Sequence, residues 1–136
     1  MTLRAKKKEK TERQKIIQAN DDLFRKIIHL RDKVCQKSGR SENLQVAHFW
    51  TRGNLRVRWD LDNACLLQGG IHYFWAHVKP QEFREFWIKR LGQERFDKLE
   101  IKARYVAPIK LYSLYLTHSI LKSEIKKMES NQALKK

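Results

Sequence analysis

A chain of 136 residues is one domain's worth, long enough to bury a core without disulfide staples. Thirty Lys and Arg against fifteen Asp and Glu leave a formal charge of +15, while four Trp and 41% hydrophobic residues argue against wholesale disorder. That balance points to a polyanionic partner, and no run of about 18 uncharged apolar residues is present, which excludes a transmembrane helix.

The basic start "MTLRAKKKEK" is followed by no apolar signal segment. Residues 1–12 are therefore expected to form a disordered basic arm on a cytoplasmic protein that has no membrane partner. Thr11-Glu12-Arg13-Gln14 has the spacing of a capping box. From there Ile16, Ile17, Phe24, Ile27, Ile28 and Val34 recur at helical intervals, predicting an amphipathic helix to about residue 35. "KSGRSEN" breaks it.

"LQVAHFW" and "RVRWD" both alternate in the manner of strands, with Gly53-Asn54 as a turn between them. A two-stranded hairpin is expected, with His48 on its first strand. Asp60-Leu61-Asp62-Asn63 then gathers helix-starting residues. "ACLLQGGIHYFWAHV" suits a short helix, interrupted at Gly69-Gly70 and ended by Pro80. Pro80 and Gly92 bracket the next helix, and "QERFDKLEIKARY" forms another. Pro108 opens a long helical stretch, and residues 129–136 are expected to be a frayed tail. Tyr73, Phe74, Phe83, Phe86 and Trp87 recur at helical spacing, which predicts core packing. Cys35 and Cys65 are too few for a disulfide framework and read as reduced core thiols. His29 and His118, inside amphipathic helices, are assigned no function.

Three of the five histidines fall between Leu44 and His77, with Asn63 among them. A His on a strand, an Asn at the entry to a helix and a His on that helix can converge on one point. Phosphodiester cleavage needs such a set: an imidazole base to activate water near neutral pH, and a group to fix the base's tautomer. It also needs a cation beside the scissile phosphate.

The run from Cys35 to about Ala103 resembles the HNH (ββα-metal) endonuclease family, and is most similar to the phage recombination nucleases of the NinG/Rap and Ref types. The likeness is carried by "LQVAHF", Arg52, "RWDLDN", His72 nine positions after Asn63, and "EFREFWIKRLGQERFDKLE". It implies an α+β, mostly helical fold. One domain would span residues 13–128, with a ββα-metal hairpin-helix core at about 43–79 and further helices on both sides.

It also implies DNA as partner, with branched or single-stranded recombination intermediates as substrates, and Mg²⁺ or Mn²⁺ as cofactor. His48 would be the general base, Asn63 would orient it and hold the loop, and His72 would ligate the metal. His77, five residues further along, has no firm counterpart and is placed as a second ligand to metal or phosphate. Arg52, Arg56 and Arg58 would lie beside the substrate backbone. Two-fold cleavage of a duplex would favour a homodimer, with the long C-terminal helix to mediate it.

Two departures from the family pattern stand out. Where relatives carry two CxxC pairs for a structural zinc, this chain keeps only Cys35, and one thiolate cannot make a four-ligand site, so no structural zinc is expected. The residue before the base, a metal ligand in many relatives, is Ala47. The second reading is therefore a catalytically inactive nucleic-acid-binding protein on the same fold. A structural RNA-binding protein with a basic arm ranks last, because it leaves the His–Asn–His spacing unexplained.

Overall fold

The computed structural model describes residues 4–134. They form an α+β, mostly helical fold. Five α-helices surround a two-stranded antiparallel sheet, in the order α1 (Glu12–Asp32), β1 (Leu44–His48), β2 (Ala64–Gln68), α2 (Gly69–His77), α3 (Pro80–Leu91), α4 (Gln93–Arg104) and α5 (Leu111–Leu134). Strand register runs from Leu44 opposite Gln68 to His48 opposite Ala64.

The helix boundaries follow local chemistry. Thr11 and Gln14 close the expected capping box reciprocally, with Gln14 N donating to Thr11 Oγ1 at 3.1 Å and Thr11 N to Gln14 Oε1 at 2.9 Å. Pro80 opens α3, and Gly92, at φ 83°, supplies the left-handed turn between α3 and α4. Residues 4–11 carry no regular structure and Glu12, placed in the expected arm, begins α1; residues 1–3 lie outside the described residues. Where a frayed tail was expected, α5 is helical through 129–134, and 135–136 lie outside the described residues.

The second strand is the larger correction. "RVRWD" is not extended. It folds into successive turns, with Val57 N donating to Asn54 O at 3.3 Å and Asp60 N to Val57 O at 3.1 Å. The partner of β1 is Ala64–Gln68, which the sequence suggested was helix. Ala64 to Leu67 are all buried, on both faces of the sheet. A short, continuously apolar run of that kind does not reveal its own period. Gly69-Gly70 is accordingly the start of α2, not an interruption within it. Asp60 does cap a turn, as its residue type suggested, but only a short 3-10 turn over Leu61–Asn63.

The sheet separates two cores. Ala47, Cys65 and Leu67 face Trp75, Phe83, Trp87 and Phe96 from α2, α3 and α4. Leu66 and Ala64 face Phe24, Ile27 and Ile28 of α1, with Leu114, Leu121 and Ile125 of α5 beyond. β1 therefore has one paired edge and one open edge, with α1 on one face and α2 on the other. His48 ends β1, and His72 and His77 lie on α2 beside it.

Candidate nuclease-type site

His48 closes β1, and its ring stacks on Phe24 of α1 with centroids 5.7 Å apart. Its Nε2 lies 2.9 Å from the carbonyl oxygen of Arg58. A carbonyl can only accept, so Nε2 carries the proton and Nδ1 is bare in the neutral ring. The ring lines a recess of about 290 Å³ together with Asp21, Arg25, His29, Gln45 and Arg52. Burial holds the imidazole below its ordinary range; the Arg58 carbonyl opposes this, and the Arg52 and Arg58 guanidiniums reinforce it.

Asn63 is fully buried, and its side chain makes no hydrogen bond to His48. Its Nδ2 donates to the carbonyls of Trp50 (3.0 Å) and Val57 (2.9 Å), and its Oδ1 accepts from Trp50 N at 2.8 Å. It latches the loop between the strands, as expected. The orienting role falls to the backbone of Arg58, one residue beyond the carbonyl that Asn63 holds.

The three arginines are tied internally. Arg58 donates to Asp21 through Nε (2.9 Å) and a terminal nitrogen (2.7 Å), Arg52 donates to the same carboxylate at 2.9 Å, and Trp59 Nε1 does so at 2.9 Å. Burial raises the Asp21 pKa, but these donors outweigh it and hold the carboxyl below its usual value. Arg56 reaches away from His48, to the carbonyl of Ala107 (2.7 Å) and the face of Tyr105.

His72 and His77 line a second recess, of about 260 Å³, with Gln45, Gly69 and Tyr73. His72 Nδ1 lies 3.0 Å from Gln45 Oε1, which directs the bare Nε2 elsewhere. Burial, then the nearby His77, holds His72 below the ordinary imidazole range. His77 is exposed, its ring 4.7 Å from that of Tyr73.

The expected single centre is thus two adjoining recesses, sharing Gln45 on the open edge of β1. His48 opens into the one beside α1, and the other two histidines into the one beside α2. Among the described residues no three His, Cys, Asp or Glu side chains gather as a metal cluster. Ala47 is fully buried in the aromatic core.

Sequence reasoning missed Gln45, Arg25 and Asp21. Asp21 left a trace, an acidic pair with Asp22 in the middle of α1. The Arg58 carbonyl had none, since a backbone acceptor has no side-chain signature. No family model, curated protein or solved structure matches the chain.

Proposed function

We propose that this protein is an HNH-type endonuclease that hydrolyses DNA phosphodiester bonds, with His48 as its general base. One observation carries the reading: the Arg58 carbonyl holds the His48 ring so that Nδ1 is the unprotonated nitrogen, and that ring lines a recess together with Arg25 and Arg52. A water in that recess can give its proton to Nδ1 as it attacks phosphorus. Arg52, tethered by Asp21, and Arg25, held only by a 3.6 Å contact to Asp22, offer cations to the phosphate oxygens. Asn63 acts at one remove, by holding the loop that presents the carbonyl.

The residues suited to hold a divalent cation are His72 and His77. A metal-bound His commonly donates its other ring N–H to an oxygen, as His72 does to Gln45. Two imidazoles suit Mn²⁺ better than Mg²⁺, which prefers oxygen ligands. When bound, such an ion supplies positive charge for the leaving oxygen.

The test is cleavage of plasmid and branched DNA with Mn²⁺ or Mg²⁺. His48→Ala is expected to lower the rate by about 10²- to 10⁴-fold while DNA binding persists. Equal cleavage by parent and variant would sink the assignment and expose a contaminant.

A second reading rests on Ala47. Its burial among aromatic rings puts core packing where many relatives carry a ligand. A chain that binds DNA but cuts none, with any divalent ion, would be a non-catalytic binder on this fold.

A further inference from the structure

Tyr73 and Phe74 were expected in the core, yet they are 66% and 45% exposed; Phe83 and Trp87 of the same run are buried. Large rings left in water over a charged molecule mark a contact surface. Phe74 walls a recess of about 500 Å³ on the side of α2 away from His72 and His77, together with Lys37, Gln68, Ile71, Trp75 and Glu82. Trp75, itself buried, is part of its lining. That indole is fixed from behind by Phe83 and Phe86, with ring centroids at 5.6 and 4.7 Å, and the Lys37 ammonium lies 5.8 Å from its ring centroid.

We propose that this recess receives an unpaired nucleobase, so that the protein engages single-stranded nucleic acid. The claim rests on the nuclease reading for its relevance to cleavage, though not for its own test. The chemistry on each wall favours that occupant. Phe74 offers an aromatic face, and stacking tolerates any base because every base has a π-face. The Gln68 amide can pair with a base edge. Lys37 supplies the cation for the adjoining phosphate, on a chain whose net +15 already attracts that backbone. A paired base cannot enter, since its faces are covered by its neighbours and its edge by its complement. An anionic membrane could also use Lys37, but Glu82 in the same lining opposes a dense anionic surface, and a membrane offers no flat ring with a polar edge to Phe74 and Gln68. A second copy of the chain would bring its own +15 charge against this one.

The recess lies across α2 from the histidines: Ile71, Phe74 and Trp75 share one side of the helix, His72, Ala76 and His77 the other. A strand seated in it reaches His72 and His77 by passing around one helix. The base would then hold the strand while its backbone runs on toward the open edge of β1.

The measurement is binding of a fluorescently labelled oligothymidine, and of a duplex of equal length, to the full chain in chelator. Chelator separates this claim from cleavage, because binding can succeed where hydrolysis fails. The parent is expected to prefer the single strand. Phe74→Ala should weaken single-strand binding roughly tenfold and leave duplex binding nearly unchanged. The Phe74 ring is 45% exposed, so the fold should persist, as circular dichroism would verify. Lys37→Gln should weaken single-strand binding less. Equal losses on both DNAs, or no loss, would overturn the proposal. So would a variant whose only defect is in binding anionic phosphatidylserine vesicles or in self-association by sedimentation.

Discussion

At His48 two influences act together on one ring. The Arg58 carbonyl fixes which nitrogen is basic, and burial beside two guanidiniums lowers the pKa. A base with a lowered pKa stays unprotonated into mildly acidic solution, so the acid limb of kcat/KM should fall below the ordinary imidazole value of about 6.5. Stability should move in the same direction. Below about pH 6.5 the unfolded chain takes up a proton that the native ring resists, so the unfolded state binds more protons there. The stabilisation is complete above that pH and is lost as pH falls from it toward the native value. His72, shifted the same way, adds to the slope. Cleavage rates and urea midpoints across about pH 5 to 8 would check both limbs; an acid limb above the free-imidazole value would remove His48 as the base. Asn63 shows how far the residue pattern could be read. Its residue type suggests an amide bonded to His48, and the resemblance implies that it also holds the loop. The side chain bonds the backbone of Trp50 and Val57 across that loop, while His48 meets the Arg58 carbonyl instead.

Among the elements, helices were legible and the second strand was not, for one physical reason. The stripe on α1, the Thr11–Gln14 cap and the Pro80 and Gly92 boundaries each leave a period or a special residue in the sequence. β2 leaves neither, because both of its faces are buried. "RVRWD" alternates because Val57 and Trp59 plug opposite cores from within turns, which mimics a strand. The junction of β2 and α2 is where element geometry bears on the site. A Cβ on Gly69 would fall 2.9 Å from Asn43 Nδ2 and 3.1 Å from Gln45 Nε2. Both are the ends of flexible side chains and can swing away. Gly69→Ala should therefore change stability by no more than about 1 kcal/mol, the helix preference for Ala offsetting the crowding. It should still push Gln45 off His72 and free the imidazole's orientation. Loss of such an oxygen partner costs roughly tenfold or more in metal affinity, which a Mn²⁺ titration beside a urea melt would measure. Unchanged Mn²⁺ binding would show that Gln45 does not orient His72.

For the whole molecule, the acidic residues act mainly as internal ties, so the surplus of cations remains available to a partner. Asp21 ties the turn segment to α1, Asp32 ties α3 to α1, and Asp60 and Asp62 tie α4 to the turn before β2. The cations so held mostly fix the fold. Those beside the His48 recess line open space, even where, as with Arg52, they also bond Asp21. Lys8 and Lys10 line a neighbouring recess of about 440 Å³, which shares Asp21 and Arg52 with it, and Arg25 stands on the far wall. A backbone crossing both recesses meets Lys8, Lys10, Arg52 and Arg25 in turn. Four such phosphate contacts on a single strand give a salt slope of about −3, a loss of roughly fiftyfold between about 50 and 200 mM salt. Replacing Lys8 and Lys10 by Gln should remove about half of that slope at every DNA sequence alike, because phosphate contacts read no bases. Titrations of labelled oligothymidine at several salt concentrations, with chelator present, give the slope directly. Affinity that ignores salt, or a slope untouched by the double substitution, would mean that nucleic acid does not follow the groove between the N-terminal arm and α1.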